Sequence, residues 1–268
     1  MSTGWETFYG WEWFRRDQWL SKYPSLSQRG RAWLDSFGRL LGDPQDKVVL
    51  DCSCGFGAKT VALSQMGFRT YGSDGCLFAV EKAQELARHR SLEVEYFTST
   101  WADLPQKASA RFHGVFNDAL SWIVTEEEFE ASIRGIREAL LPGGVLVFLG
   151  AREGDPPGEG VKLLREELER VPKFSIEWQH VVEGTECTCL LAREAGPDYM
   201  DMHRLYLIRE GAGGAGAPPH GQRLETSTIR NPFCWDWSRL ERLFARAGYS
   251  GLSTRETSGK IGVNVAVR

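Results

Sequence analysis

Apolar residues recur along this chain in two registers. Short apolar runs, each closed by glycine or a polar residue, read as buried strands: Val48–Leu50, Phe68–Gly72, Val94–Phe97, His113–Asn117 and Val145–Leu149. Between them, apolar residues fall every third or fourth position, which reads as helix. Leu26 to Leu41 places Trp33, Phe37 and Leu41 on one face and stops at Gly42 and Pro44. A second helix carries Val61, Ala62 and Met66 and stops at Gly67, and a third runs from Cys76 to Arg90. Thr125-Glu126-Glu127-Glu128 is a capping box, opening a helix with Phe129, Ile133, Ile136 and Leu140 on one side and an end at Pro142-Gly143-Gly144. Strand alternating with helix specifies a parallel sheet covered on both faces.

The pattern changes after Gly150. A Gly/Pro-rich loop precedes a charged helix from Val161 to about Arg170, and then the period drops to two. Phe174–Val182, Thr185–Ala192, Met200–Arg209 and Arg223–Ile229 read as strands, with the low-complexity run Gly211–Gly221 as a hairpin loop. Trp237, Leu240, Leu243, Phe244 and Ala247 mark a helix ended by Gly248, and strands near Tyr249–Ser253 and Ile261–Val267 close the main sheet as a hairpin. The expected division is an N-terminal helical segment (1–45), a core (46–155 and 235–268) and an antiparallel insertion on the substrate side (156–234).

Residues 1 to 24 are crowded with aromatics, among them Trp5, Phe8, Trp11, Trp13, Trp19 and Tyr23. Two readings stand: a helix packed onto the sheet, or a lid whose indole and phenol surfaces exclude water from a ligand. Trp11 and Tyr23 are the candidates for touching a substrate.

Chemistry concentrates in Lys47–Asp74, which reads as strand, glycine turn, helix, strand and acid. Gly55 and Gly57 allow close backbone approach to a ligand. The helix start beyond them offers N–H groups to an anion, and a carboxylate at Asp74 can accept from two ribose hydroxyls. A phosphate-binding P-loop would need glycine where this chain has Ser53 and Ala58 ahead of Lys59-Thr60, so that reading fails. A dinucleotide fingerprint would need a third glycine where Thr60 stands. Elsewhere, Thr100-Trp101 after the third strand offers a flat surface for a purine. Asn117 and Asp118, at the end of the fourth strand, lie where an open α/β sheet meets its ligand.

Composition narrows the partners. The 268 residues can hold one large core or a core plus a small appendage, and a net charge of −4 without a basic stripe argues against nucleic acid. No apolar run reaches membrane-spanning length, and no signal-peptide core opens the chain. Six cysteines, four of them in Cys-x-Cys pairs, are too closely spaced for a usual structural zinc site, so no metal is expected and a reducing cytoplasm fits. The aromatic N-terminus is a candidate for exchange between subunits of a homo-oligomer.

With this order in place, Asp-x-Ser-Cys-Gly-x-Gly at Asp51–Gly57 resembles motif I of the class I S-adenosylmethionine-dependent methyltransferases. The acid at Asp74, STW, FNDALSWI and PGGVLVFLGAR together resemble the glycine/sarcosine N-methyltransferase branch. The resemblance implies a Rossmann-like α/β fold, a seven-stranded mostly parallel sheet with helices on both faces, plus the antiparallel insertion and helical lid. It implies S-adenosylmethionine as cofactor, held by Asp51, Ser53, Gly55, Gly57, Asp74 and Gly75, with Thr100, Trp101 and Asn117 completing the cofactor site. Asp118 falls where that branch has an asparagine contacting the substrate amine, Trp122 where it has a histidine, and Arg152 near its carboxylate-clamping arginine. Asp118 and Asn117 are therefore the expected catalytic residues, with Trp122 and Arg152 on the acceptor.

The implied reaction is in-line methyl transfer to a nitrogen of a small molecule: an amine, an amino acid or a nitrogen heterocycle. Alignment alone can supply roughly 7–11 kcal/mol. Holding an alkylamine of pKa ~10.4 neutral at pH 7 costs about 4–5 kcal/mol, and Asp118 close by would oppose this unless it acts as the base or the acceptor is not a basic amine. The alternatives are an O- or C-methyltransferase of secondary metabolism and a non-catalytic cofactor-binding protein.

Overall fold

A computed structural model describes residues 3–16, 28–211, 221–232, 235–258 and 261–268. Its elements are α1 (Thr3–Phe14), α2 (Gln28–Leu41), β1 (Val48–Asp51), α3 (Ala58–Gln65), β2 (Arg69–Asp74), α4 (Leu77–His89), β3 (Glu95–Thr98), α5 (Leu104–Lys107), β4 (Phe112–Asn117), α6 (Glu126–Ala139) and β5 (Leu140–Gly150). There follow α7 (Glu159–Arg170), β6 (Phe174–Val182), β7 (Thr185–Ala195), β8 (Tyr199–Glu210), β9 (Gly221–Pro232), α8 (Trp237–Arg246), β10 (Gly251–Ser258) and β11 (Ile261–Val267). The chain divides into two units: Lys22–Glu159 with Trp235–Arg268, and Met1–Ser21 with Gly160–Cys234.

The larger unit is built on a seven-stranded sheet in the order β10-β11-β5-β4-β1-β2-β3. Strands β1 to β5 pair in parallel, and β11 runs antiparallel to both β5 and β10. This is the mostly parallel, Rossmann-like sheet that the alternation of runs predicts. The strand order reverses between β1 and β4, so their carboxyl ends frame the crevice where such sheets bind ligand. On one face, Leu34 and Phe37 of α2 and Leu63 of α3 pack with Val49, Phe116 and Val147. On the other, the Phe148 and Phe244 rings stack at 5.0 Å, and the Trp235 indole N–H donates to the Ile123 carbonyl at 2.9 Å. Leu34, Phe37, Phe116 and Phe148 are buried to 1% exposure or less, so this core fixes the strand ends that carry the site.

One boundary differs from expectation. Helix α6 stops at Ala139, and β5 begins at once, running through Pro142-Gly143-Gly144. The register with β4 shifts between Phe112 and Gly114, which absorbs those residues as an irregular strand start. The cap at the other end is as expected, with Thr125 Oγ1 accepting from the Glu128 N–H at 3.2 Å.

The second unit is a four-stranded antiparallel sheet, β6-β7-β8-β9, with α1 on one face. Gly4 sits against β9, where a Cβ would strike the Thr228 backbone. Trp11 stacks on Tyr206 at 5.4 Å, and its indole N–H donates to Glu225 Oε2 at 2.8 Å. Cys187, Cys189 and Trp178 are buried with it. The aromatic side of α1 is thus a core face of this sheet, and α1 belongs to a different unit from α2.

Candidate active site

Strand β1 ends at Asp51, and the turn after it is tied to its neighbours by backbone bonds. Cys52 N–H donates to Phe116 O and Cys54 N–H to Ser73 O, both at 3.0 Å. Gly57 caps α3 at φ 85°, and a Cβ there would lie 2.8 Å from Tyr96 Oη, so this position requires glycine on two counts. At the end of β2, Asp74 takes one N–H on each carboxylate oxygen: Gly55 N–H to Oδ2 at 3.0 Å and Cys76 N–H to Oδ1 at 2.9 Å. These bonds fix the carboxylate plane. Gly75 forms the bend between Asp74 and Cys76.

A charge cluster spans the β1–β4 junction. Lys59, on the first turn of α3, reaches back so that Nζ lies 2.9 Å from Asp118 Oδ2. The other Asp118 oxygen, Oδ1, accepts from Ser53 Oγ at 2.9 Å, and the Asp118 backbone N–H donates to the same hydroxyl at 3.1 Å. Behind this pair, Asp51 is fully buried, accepting from Thr60 Oγ1 at 2.8 Å and from Ser53 N–H at 3.3 Å. Burial raises the Asp51 carboxyl from its ordinary 3.8 to about 6. The Lys59 charge and the Thr60 bond oppose that rise, and Asp118 reinforces it. For Lys59, burial works against the ammonium, but Asp118 and Asp51 outweigh it and hold the group above the ordinary lysine range. Lys59 is therefore a fixed cation and not a base. Burial likewise pushes the Cys52 and Cys54 thiols well up, so both stay protonated.

The loop after β3 is pinned against the same turn. The Trp101 indole N–H donates to the Cys52 carbonyl at 2.5 Å, and Thr100 Oγ1 donates to Asp103 Oδ2 at 2.7 Å. Helix α6 approaches this loop closely at Gly135, where a Cβ would collide with the Trp101 and Ala102 backbone. Loop and glycine turn thus form one hydrogen-bonded wall of the crevice.

The sequence candidates divide on this geometry. Asp51, Ser53, Gly55, Gly57, Asp74, Gly75, Thr100, Trp101, Asn117 and Asp118 come together at the carboxyl ends of β1, β2, β3 and β4. Asn117 is fully buried; its amide donates to Cys52 Sγ at 3.1 Å and its oxygen accepts from Ala119 N–H at 2.8 Å, so it holds the turn that aims Asp118. Trp122 ends a short 3-10 turn, Leu120–Trp122, in the same loop and is half-buried. Arg152 follows β5 with its guanidinium engaged by Asp155, Nη2 to Oδ1 at 2.8 Å and Nε to Oδ1 at 3.0 Å. Trp11 lies in the second unit, 8% exposed in its core, and Tyr23 lies outside the described residues. Sequence reasoning missed Lys59 as a site residue. Its signal was its place two residues after Gly57, where a side chain leaning toward the helix start enters the crevice.

The crevice fits S-adenosylmethionine by the chemistry of its groups. An oriented carboxylate at Asp74 suits a vicinal diol, and the open backbone at Gly55–Gly57 suits close approach. Lys59 answers the charge of Asp118, while Asp51 and Asp74 are two further acids at the same strand ends.

Comparison with known proteins agrees. Residues 49–144 match the model of the methyltransferase domain family. A curated relative, the ubiquinone biosynthesis O-methyltransferase of Alkalilimnicola ehrlichii, is 24% identical over 155 residues, 57% of this chain. The match spans 62% of that relative's length. Among solved structures, a sugar N-methyltransferase from Streptoalloteichus sp ATCC 53650 superposes with a TM-score of 0.65 at 16% identity, covering 94% of this chain and 92% of that one. An S-adenosylmethionine-dependent methyltransferase from Clostridium acetobutylicum gives 0.64 at 11% identity over 96% and 98%. An amino pentose methyltransferase from Micromonospora echinaspora, solved with S-adenosylmethionine bound, gives 0.55 at 20% identity over 90% and 94%. At these identities the superpositions speak to the fold alone.

Proposed function

We propose, from a chain whose core is a class I S-adenosylmethionine-dependent methyltransferase domain, that the protein methylates a nitrogen of a small molecule, whether amine, amino acid or nitrogen heterocycle. The observation that carries this reading is the Asp118 carboxylate, placed at the end of β4 and already compensated by Lys59 Nζ at 2.9 Å. A bare carboxylate there would favour the protonated amine and oppose attack; a compensated one does so far less. Asp118 can then orient an N–H of a neutral acceptor while Ser53 and Lys59 hold its own geometry.

When bound, the cofactor supplies an electrophilic methyl on a sulfonium. Asp118 would orient an acceptor's nitrogen lone pair toward that methyl, and the nitrogen's proton would be released to water. The chain's own residues have little covalent chemistry to do. Asp74 would grip the ribose, and the Gly55–Gly57 turn would take the methionine end. The Trp101 loop would wall the adenine side, and Asp118 with Trp122 would align the acceptor. Arg152 serves an acceptor carboxylate only if that group displaces Asp155. Asn117 acts through the turn, as a positioning residue. Five described cysteines, all buried and free, support a reducing, cytoplasmic setting.

The O-methyl reading has one specific support, the curated O-methyltransferase relative. A phenol would need a base; Lys59, held protonated, cannot serve as one, which leaves that role to Asp118. The deciding experiment incubates the enzyme with methyl-labelled S-adenosylmethionine and panels of aminosugars, amino acids, heterocycles and phenols, scoring labelled product and S-adenosylhomocysteine. Turnover confined to nitrogen acceptors is expected; turnover confined to phenols or carboxylates contradicts the proposal.

A further inference from the structure

The loop between β4 and α6, which carries Asp118 and Trp122, is pinned at both ends. At its near end Asn117 Oδ1 accepts from the Ala119 N–H at 2.8 Å. Its middle is the 3-10 turn, with the Trp122 N–H donating to Ala119 O at 3.0 Å and the Ile123 N–H to Leu120 O at 3.3 Å. Leu120 and Ile123 are buried, while Asp118 and Trp122 keep part of their surface exposed. The far end is held by a residue 112 positions away in sequence: the buried Trp235 indole N–H donates to Ile123 O at 2.9 Å. The indole is itself clamped. Its ring lies 4.4 Å from that of Phe129, and the Arg239 guanidinium covers it at 5.2 Å. Arg239 and Arg242 both pair with Glu126, the first residue of α6, so α8 grips the helix that the loop leads into.

We propose that Trp235 is a positioning residue for methyl transfer: by holding Ile123 O it sets the aim of Asp118 and Trp122 toward the acceptor. This rests on the reading above that those two residues meet the acceptor. Three features favour the role over plain packing. First, the bond falls on the residue next to Trp122, whereas the start of α6 has its own cap at Thr125 and does not need it. Second, a phenylalanine at position 235 would fill the place against Phe129 but leave the buried Ile123 carbonyl without the indole donor. Third, the cofactor groups are held by other bonds. Asp74 takes the Gly55 and Cys76 N–H groups, and the Trp101 loop is tied to Cys52 O. None of these passes through Trp235, so loosening this anchor disturbs alignment of the acceptor and spares the cofactor.

Trp235→Phe, compared with Tyr249→Phe, tests the role. Tyr249 Oη donates to Ile133 O at 2.9 Å, an equivalent buried bond to α6 away from the loop. With S-adenosylhomocysteine bound, hydrogen–deuterium exchange at the Trp122 and Ile123 amides is expected to speed about fivefold or more in Trp235→Phe and to keep the wild-type rate in Tyr249→Phe. Acceptor kcat/KM, measured with the panel compound that turns over fastest, is expected to fall about five- to twentyfold in Trp235→Phe. S-adenosylhomocysteine affinity should stay within about twofold of wild type, and Tyr249→Phe should keep wild-type kinetics. Benzothienylalanine at position 235, which keeps the ring size and puts sulfur in place of the N–H, serves if the phenylalanine variant melts early. Loop exchange alone decides where no panel compound turns over. Unchanged loop exchange in Trp235→Phe, equal loosening in Tyr249→Phe, or a cofactor-affinity loss as large as the acceptor loss overturns the assignment. Asp118→Asn separates the two ideas. If it leaves acceptor kcat/KM unchanged, the acceptor reading fails and takes the positioning role with it; if it lowers kcat/KM while Trp235→Phe does not, the positioning role alone fails.

Discussion

Lys59 Nζ lies 2.9 Å from Asp118 Oδ2, joining the first turn of α3 to the loop after β4 across the mouth of the crevice. The pair is partly exposed, with side chains 18% and 26% accessible, so solvent weakens it, but Asp51 behind it keeps the cation in place. Under the proposed reading, Asp118 meets the acceptor as a hydrogen-bonding group with a cation beside it.

Removing one partner should cost more than removing both. Lys59→Met leaves Asp118 and Asp51 facing each other uncompensated, whereas Lys59→Met/Asp118→Asn does not. A double-mutant cycle on kcat/KM with the identified acceptor is expected to show a coupling of about 1–2 kcal/mol. Additive losses would show that the pair does not act as a unit.

Asp51 predicts a pH signature in stability. Its folded pKa, about 6, lies above the ordinary 3.8, so the protonated form is the one the fold favours. The stabilisation linked to it is fully present below pH 3.8 and is lost as pH rises through 6, amounting to about 3 kcal/mol. Denaturant melts of wild type and Asp51→Asn across pH 4 to 8 should therefore diverge, with the variant gaining relative to wild type as pH rises. A constant difference contradicts this.

Trp101 serves either as a ring against the adenine or as a pin on the Cys52 carbonyl. Trp101→Phe keeps a ring and removes the N–H. Loss of the pin alone predicts S-adenosylhomocysteine binding weakened about three- to tenfold in Trp101→Phe, with little further loss in Trp101→Ala. Near-wild-type affinity in the phenylalanine variant, with collapse in the alanine variant, assigns the ring to the purine instead.

Gly135 tests the wall from the other side. A Cβ there meets the Trp101 and Ala102 backbone, so Gly135→Ala should gain helix propensity yet destabilise the protein and weaken cofactor binding, by about 1–3 kcal/mol in a thermal or chemical melt. A stabilised variant would show that the loop yields.

Much of this was legible in the sequence because it depends on local pattern. The βαβ unit at Val48–Asp74 is written in periodicity, glycine and one acid, and β1, β2 and α3 form there within a residue or two. The ends of β4 and β5 follow from the same logic. Three things were not legible. The partner of Asp118 depended on which way Lys59 leans, a rotamer matter. The partner of Arg152, Asp155, lies in a loop without a periodic signal. The place of α1 depended on a sheet built from residues far along the chain, so aromatic density near Trp11 could not distinguish a lid from a core stripe.

The proposed cofactor site turns on the Asp74 carboxylate at the end of β2. Isothermal titration with S-adenosylhomocysteine tests it directly, comparing wild type with Asp74→Ala. Saturable binding to wild type, weakened at least tenfold in the variant, is the predicted result, since a charge-assisted hydrogen bond contributes about 1.5–3 kcal/mol. No heat in wild type, or equal affinity in both proteins, would contradict it.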